Sequence, residues 1–353
     1  RIEYYENGGA AAAKFQWDFY QEQMDAAEAL AASHEVAVLV VGTDTSTAHE
    51  GKDMDTLELP GFQEELIERV THANPRTIVV LVNGNPVSIP WAQANCPAIL
   101  ETWYNGQAAG TALADVLFGD VNPGGKLPVT FYRSVDELPD MEDYDIIHGG
   151  RTYQYFSGEV LYPFGHGLSY TTFAYQELKV LPKEASEQGD LTVCVEIENT
   201  GMRSGDEVVQ VYLRKVNPSI LRPLKTLKAF QRIPLEAGQK GKLTFRIPIR
   251  ESAYFDVNSD AFAVEPGLYE VQVGSSSSDI RLTESFTVSA DGVLNPDIVQ
   301  DGLINLLDLA ELVNWWRQTD CLSREHCGGA DLDLSNQVDL GDLAVLAESW
   351  LSN

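Results

Sequence analysis

Residues 161–173 have the sequence Leu-Tyr-Pro-Phe-Gly-His-Gly-Leu-Ser-Tyr-Thr-Thr-Phe, and this stretch decides the fold. Its aromatic rings are interrupted by two glycines and a proline. Gly165 and Gly167 permit backbone angles that other residues avoid, and Pro163 fixes one more. The segment is therefore predicted to be neither a regular helix nor a good strand. Rings on such a bent, rigid segment are suited to packing between layers or beside a sugar.

Three further motifs precede this stretch: Trp103-Tyr104-Asn105-Gly106-Gln107, then residues 116–128, then Gly150-Arg151-Thr152-Tyr153. Together the motifs resemble the second half of the family 3 glycoside hydrolases, which are β-glucosidases and β-xylosidases. The resemblance covers roughly residues 36–290 and implies a retaining exo-β-glycosidase that acts on oligosaccharides. Such enzymes begin with a barrel domain carrying the nucleophilic aspartate. We expect that barrel to be missing from this sequence and the chain alone to be inactive.

Length and charge narrow the class of protein. The chain has 353 residues and a formal net charge of −29. This length suggests two or three domains, each large enough for its own core. The negative charge disfavours nucleic acid as a partner, because phosphates would be repelled. No apolar run approaches the ~20 residues of a membrane span. We expect a secreted protein whose ligands are neutral sugars or cations.

Changes in hydrophobic periodicity divide the chain into three predicted domains. Residues 1–174 are predicted to form a layered α/β domain, the family 3 C-terminal domain. Residues 175–290 are predicted to form an all-β sandwich of the fibronectin type III-like kind. Residues 291–353 are predicted to form a small α-helical, dockerin-like domain that binds calcium.

In the first domain, apolar strands alternate with amphipathic helices. Residues 36–41 and 77–82 are continuous β-branched runs, which predict strands of a parallel sheet buried on both faces. A third strand is predicted to begin at residues 98–100. Helices are predicted over residues 60–73 and 107–118, the second ending at Gly119. In such sheets ligands bind at the carboxyl ends of the strands.

The second domain alternates apolar and polar residues at period two. This pattern covers residues 192–198, 207–213, 243–248 and 269–273, and glycines mark the turns. Short strands at this spacing predict a β-sandwich. The resemblance identifies it as the module that closes many family 3 enzymes, and we interpret it as a structural brace.

The predicted catalytic residue lies in the loop after the first strand, Gly42–Asp53. The resemblance places the acid/base on the glutamate before Gly-x-Asp, which is Glu50 here. A retaining glycosidase uses one such carboxyl group to protonate the leaving oxygen and later to activate water. Family members usually have Arg after that aspartate, whereas this chain has Met54. The alternative is that Glu50 is one solvated carboxylate among 53 acidic residues.

A predicted sugar pocket accompanies Glu50. Aromatic rings stack on sugar faces, and packing between domains is the alternative for the same rings. The predicted substrate-binding residues are Asp53, Trp103, Tyr104, Arg151 and Tyr153.

The C-terminal region contains an internal repeat with an offset of 34 residues. Twelve-residue calcium loops supply oxygen ligands at positions 1, 3, 5, 9 and 12. The second loop offers Asp331, Asp333, Ser335, Asp339 and Asp342, and the first offers Asp297, Asp301, Asn305 and Asp308. Val299 stands at position 3 of the first loop, so that site is predicted to be weaker. Asn336 replaces Gly at position 6, and Asn tolerates the left-handed conformation.

The two loop–helix units resemble a dockerin, which docks onto cohesin domains of extracellular scaffolds. This resemblance implies structural Ca²⁺ in these loops and a cohesin-bearing partner. For catalysis we expect no cofactor. Two acidic capped helices without metal are the alternative. The alternative function for the whole chain is that of a non-catalytic sugar-binding or assembly module.

The four cysteines fall into two groups. Cys321 and Cys327 bracket a six-residue step in a polar loop, which favours a local disulfide and hence an oxidising compartment. Cys96 and Cys194 are interpreted as buried small hydrophobic residues.

Overall fold

The computed structural model describes residues 9–289, 297–299, 304–333 and 335–351. The chain forms two compact units. The first comprises Arg1–Val121, Pro128–Tyr144 and Ser157–Phe164, and the second comprises Asn122–Leu127, Asp145–Phe156 and Gly165–Asn353. Among the described helices, none combines the length and apolar character needed to span a bilayer.

The first unit is a layered α/β structure. Its elements are α1 (Gly9–Ala32), β1 (Ala37–Gly42), α2 (Gln63–Ala73), β2 (Thr77–Val82), α3 (Pro90–Asn95), β3 (Ala98–Glu101) and α4 (Ala109–Phe118). The strands form a parallel sheet in the order β1-β2-β3. Val79, Val80 and Leu81 of β2 are at most 1% exposed, so the centre of the sheet is its core. The predicted α/β class is confirmed.

Most predicted elements of this unit are present. Residues 77–82 form β2 with the predicted bounds, and α4 ends at Gly119 in the left-handed conformation. The prediction that residues 36–41 are buried on both faces is wrong. Val38 and Val40 are 48% and 57% exposed, because β1 is an edge strand and one of its faces is open among the described residues.

Residues 161–173 contain neither helix nor strand until β4 begins at Phe173, as predicted. In the first unit, Leu161 donates a backbone hydrogen bond to Phe131, and Phe131 donates one to Tyr162. In the second unit, Gly165 has a φ of 81°, and an added Cβ there would lie 2.1 Å from Oε1 of Gln210. Only glycine meets both constraints at this position.

The second unit contains a β-sandwich. Its strands are β4 (Phe173–Leu181), β5 (Glu184–Ala185), β6 (Asp190–Asn199), β7 (Gly205–Lys215), β8 (Thr226–Leu235), β9 (Lys240–Pro248), β10 (Tyr254–Asp256), β11 (Ala261–Ala263), β12 (Gly267–Gly274) and β13 (Ile280–Val288). A short helix, α5 (Thr152–Tyr155), precedes them. The sheet orders are β5-β13-β12-β7-β8 and β4-β6-β9, with β10-β11 as a hairpin. Each of the four predicted strands lies within a longer observed strand.

The sandwich core explains a second correction. Along β6, Leu191, Val193 and Val195 are at most 1% exposed, whereas Cys194 lies on the outer face and is only partly buried. Successive side chains of a strand point to opposite faces. Cys96 is also only partly buried, and its thiol lies 3.4 Å from the Thr71 hydroxyl. The prediction that both cysteines are buried is therefore wrong.

The C-terminal repeat folds around α6 (Leu306–Asn314), the short α7 (Glu325–Gly329) and α8 (Leu340–Leu351). Leu312, Leu332, Val338 and Leu346 form its buried core together with the cysteine pair. Cys321 and Cys327 are joined by a disulfide, as predicted.

Asn199 stabilises the turn after β6 through a buried side-chain network. Its Oδ1 accepts hydrogen bonds from the Thr171 hydroxyl at 2.7 Å and from the Gly201 amide at 3.1 Å. Its Nδ2 donates to the carbonyl oxygens of Arg203 at 2.8 Å and Leu235 at 3.0 Å.

We expect Asn199→Ala to lower the free energy of unfolding by on the order of 3 kcal/mol, because buried partners lose their hydrogen bonds. Urea denaturation measures this change. Thr283→Ala, on the exposed face of β13, is the control and should change stability by about 0.5 kcal/mol or less. Equal effects of the two substitutions would contradict the assigned role of Asn199.

Candidate functional site

The carboxyl ends of the three parallel strands lie at one edge of the first unit. Beyond the strands, Thr43 donates its amide hydrogen to the Val82 carbonyl at 3.0 Å, and Thr102 donates to Leu81 at 3.0 Å. The pairing therefore continues into the loops that follow β1 and β3. This edge is where α/β sheets position their ligands.

Trp103 and Tyr104 are held at this edge by contacts within the first unit. The Tyr104 hydroxyl lies 2.9 Å from Oγ1 of Thr43, which ties it to the start of the Glu50 loop. Trp103 has a φ of 55°, and its ring packs edge-on against Phe131 with centroids 5.9 Å apart. Tyr104 is 50% exposed, so one ring face remains available for contact.

Glu101, the last residue of β3, is a site residue that the sequence analysis missed. Its Oε1 accepts the Trp103 amide hydrogen at 2.9 Å, which supports the left-handed backbone of that residue. Burial raises the pKa of the Glu101 carboxyl to about 7, although hydrogen bonds from Trp103 and Asn83 oppose the shift. Oε2 of Glu101 and Oδ1 of Asn83 are buried without a hydrogen-bond partner among the described residues. Its place at a strand end was the signal available in the sequence.

Glu50 lies at the tip of a tight turn. His49 and Lys52 exchange backbone hydrogen bonds of 3.0 and 2.9 Å, so Glu50 and Gly51 form the two-residue tip. The base of the loop is held by Asp44, whose carboxylate accepts the Ser46 amide hydrogen at 2.7 Å. Glu50 is exposed to solvent. The turn thus presents a carboxyl group beyond the strand ends on a short, hydrogen-bonded support.

Asp53 and Met54 follow on the same loop. Asp53 is exposed, and among the described residues it belongs to no cluster of three potential metal ligands. Sδ of Met54 accepts a hydrogen bond from Nδ2 of Asn85 at 3.4 Å. Met54 therefore anchors the loop to the segment after β2. Its position, directly after Asp53, is the one at which family 3 members usually have an arginine.

Arg151 and Tyr153 belong to the second unit, whereas Glu50, Asp53, Trp103 and Tyr104 belong to the first. Tyr153 packs edge-on against Tyr212 with centroids 5.9 Å apart, and its hydroxyl accepts the Leu227 amide hydrogen at 3.1 Å. Arg151 is the N-cap residue, directly before α5. Both of these Tyr153 contacts lie within the second unit.

The second acidic loop brings three carboxylates together. Ligand oxygens of Asp331, Asp333 and Asp342 lie within 4.8 Å of one another. Oδ1 of Asp331 is buried without a partner among the described residues. Burial and the neighbouring Asp333 and Asp331 carboxylates raise the pKa of Asp342 to about 6, against two opposing backbone hydrogen bonds. A hard cation with oxygen ligands would relieve both the repulsion and the unpartnered oxygen.

The other predicted ligands of this loop have local partners. The Ser335 hydroxyl donates to the Gln337 carbonyl at 3.0 Å. Asp339 accepts hydrogen bonds from Gln337 and, at 2.7 Å, from the Gly341 amide. Asn336 has a φ of 71°, as its position in the loop predicted.

The first acidic loop has a similar end. Asp308 accepts hydrogen bonds from the amides of Val299 at 3.0 Å and Asn305 at 2.8 Å, as Asp342 does from Asp333 and Asp339. Asn305 is the N-cap residue of α6, and Asp297 is partly buried. Asp301 lies outside the described residues.

Comparison with known protein families identifies the two folded regions. Residues 3–170 match the glycosyl hydrolase family 3 C-terminal domain, and residues 207–277 match a fibronectin type III-like domain. This first stretch is thus similar to the C-terminal domain of glycosyl hydrolase family 3. The predicted family 3 and fibronectin-like regions are therefore confirmed.

The relatives that this chain matches are glycosidases. A beta-xylosidase of Formosa agariphila is 43% identical over 274 residues, which are 76% of this chain and 38% of the relative. A beta-glucosidase of Rhizobium radiobacter is 39% identical over 277 residues, covering 74% of this chain and 34% of the relative. The chain thus spans between a third and two fifths of the length of these relatives.

A solved structure supports the same assignment. The beta-glucosidase of Kluyveromyces marxianus in complex with glucose matches with a TM-score of 0.70 and 35% sequence identity. The match covers 76% of this chain and 34% of that one.

The raised pKa of Glu101 predicts a pH-dependent stability. Its folded pKa of about 7 exceeds the ordinary value of 4.5, so the folded state binds its proton more tightly than the unfolded state. The contribution of Glu101 to the free energy of unfolding is fully present below its ordinary pKa, and it is lost as the pH rises through the folded pKa of about 7. Glu101→Gln keeps the acceptor for Trp103 but cannot ionise.

We therefore expect Glu101→Gln to be more stable than the unaltered chain at pH 8. Its gain in free energy of unfolding over the unaltered chain should be about 1–2 kcal/mol larger at pH 8 than at pH 5, allowing for solvent screening of a partly exposed group. Denaturation of both proteins at the two pH values measures the difference. Glu58→Gln, exposed on the loop before α2, is the control. A difference that does not change with pH would show that Glu101 ionises normally.

Proposed function

We propose that this chain is the C-terminal part of a secreted, retaining exo-β-glycosidase that removes terminal glucose or xylose from plant-type oligosaccharides. Glu50 is the acid/base, and the nucleophile lies on a barrel outside this sequence. The observation that carries the proposal is the exposed Glu50 carboxyl on a hydrogen-bonded turn beside the strand ends. The similarity to beta-xylosidases and beta-glucosidases supports it.

The arrangement suits acid/base catalysis of glycoside hydrolysis. In the first step the Glu50 carboxyl donates its proton to the leaving oxygen, and in the second the carboxylate takes a proton from water. Trp103 and Tyr104 offer ring faces at the same sheet edge for stacking on a sugar. Asp53 supplies a carboxylate on the same loop for sugar hydroxyl groups. Arg151 is proposed to bind substrate as well.

In the barrel-containing protein, Glu50→Ala should slow aryl β-glycosides with poor leaving groups by on the order of 10²–10⁴-fold, because these groups need protonation. Substrates with good leaving groups should be slowed much less in glycosyl transfer to the enzyme. Added azide should restore part of the turnover and yield a β-glycosyl azide. Steady-state kinetics on a leaving-group series measures the effect.

Asp55→Ala is the matched control, since Asp55 is another exposed carboxylate on the same loop. It should leave the leaving-group dependence unchanged. Equal losses for good and poor leaving groups in Glu50→Ala would remove Glu50 from the acid/base role.

We propose further that the C-terminal repeat is a dockerin-like module that binds Ca²⁺ in its two acidic loops. The clustered Asp331, Asp333 and Asp342 carboxylates and the unpartnered Asp331 oxygen support the second site. Ser335 and Asp339 complete its set of side-chain oxygens. The disulfide supports an oxidising, extracellular setting. Bound Ca²⁺ would supply positive charge that offsets carboxylate repulsion.

The partner proposed for this module is a cohesin-bearing scaffold. Side chains exposed on its helices offer an apolar surface for a protein partner: Leu306 (67%), Leu307 (56%), Val313 (57%) and Leu340 (71%). This surface also favours the alternative function, a non-catalytic sugar-binding or assembly module. Turnover by the barrel-containing protein separates the two, because only the glycosidase loses activity in Glu50→Ala.

Calorimetry on the whole chain should show one tighter and one weaker calcium site. Asp331→Ala should abolish the tighter site, because the second loop has a full set of side-chain oxygens and Val299 leaves the first loop one short. Asp297→Ala should remove only the weaker one. Survival of tight binding in Asp331→Ala, with loss in Asp297→Ala, would reverse the ranking. The absence of any response to millimolar calcium would exclude the calcium proposal.

A further inference from the structure

The disulfide loop, residues 321–327, contacts the second acidic loop at both of its ends. The Cys321 amide donates a hydrogen bond to the Asn336 carbonyl at 3.4 Å, in the middle of the acidic loop. The Asp331 amide donates to the His326 carbonyl at 3.1 Å, at the start of the acidic loop. The disulfide therefore links two segments, and each is hydrogen-bonded to a different part of the second acidic loop.

His326 adds a side-chain contact to this arrangement. Its Nδ1 lies 3.3 Å from Oδ2 of Asp331, and the Asn336 amide donates to the same oxygen at 3.2 Å. The imidazole is 2% exposed and Asp331 is fully buried. Two groups thus hold one carboxylate oxygen, and Oδ1, the other, has no partner among the described residues. The two contacts to Oδ2 therefore fix the orientation of the Asp331 carboxylate, while Oδ1 receives no hydrogen bond from the described residues.

The backbone that carries His326 is in an unfavourable conformation. His326 and Cys327 have φ values of 54° and 53°. A non-glycine residue in the left-handed region costs roughly 1–2 kcal/mol, so the surrounding structure must hold these two residues in place. The disulfide at Cys327 and the buried core around it provide that restraint. Without it, the segment would relax and His326 would leave Asp331.

We propose that His326 is a positioning residue, and that the Cys321–Cys327 disulfide makes calcium affinity of the second loop depend on its redox state. The proposal rests on the calcium binding proposed above. Partners that orient a metal ligand typically change metal affinity by about 10–100-fold when removed. The coupling is reciprocal, so bound calcium must protect the disulfide from reduction by the same factor.

Calorimetric titration of the whole chain with Ca²⁺ tests this proposal. We expect His326→Ala and the double variant Cys321→Ser/Cys327→Ser to weaken the second site by about 10-fold or more, with the first site changed by about 2-fold or less. The matched control is Cys96→Ser/Cys194→Ser, which removes the two thiols outside this module. Unchanged affinity in both test variants, or equal weakening of both sites, would overturn the proposal.

A measurement on the unaltered chain covers the case in which the serine variants do not fold. Dithiothreitol passes two electrons and two protons to the sulfurs, giving two thiols, and closes to its own cyclic disulfide. The equilibrium constant for this exchange should fall by about 10-fold or more when calcium replaces a chelator. An equal constant in both conditions would overturn the coupling while leaving calcium binding intact. A chain that binds no calcium at all would overturn both proposals.

Discussion

The parallel register of the central sheet is the constraint on which the site depends. Because β1, β2 and β3 run in one direction, the loops that carry Glu50, Asn83 and Trp103 leave from one edge. The buried centre of β2, Val79–Leu81, fixes this edge, and the continued pairing at Thr43 extends it into the Glu50 loop. The polar groups at this edge are thus supported by a strand that is itself almost entirely apolar.

A second constraint, carboxylate repulsion, governs the C-terminal module. Its buried Asp308 and Asp342 each accept hydrogen bonds from two backbone amides, which shape the two loops. Asp331 differs, because one of its oxygens has no described partner. The module therefore combines hydrogen-bonded loops with one buried carboxylate, that of Asp331, which an added positive charge would stabilise.

Local sequence patterns predicted the elements but not their burial. Residues 77–82 formed the strand that β-branched composition indicates, and Gly119 ended α4. The same composition in β1 gave a half-exposed strand, because burial depends on neighbours in the sheet and not on the strand itself. Glu101 was missed for a similar reason: its raised pKa arises from burial, against an opposing hydrogen bond from Trp103, and no linear motif encodes that burial. Contacts of Tyr153 were likewise visible only in the fold.

The most direct test of this account is a crystal structure of the barrel-containing protein with an unhydrolysed disaccharide bound. The account predicts that a Glu50 carboxyl oxygen lies about 2.6–3.2 Å from the glycosidic oxygen. It also predicts that the barrel's nucleophilic carboxylate lies about 5–5.5 Å from Glu50, the separation of a retaining pair. A different acidic residue at the glycosidic oxygen, with Glu50 remaining in solvent, would contradict the account.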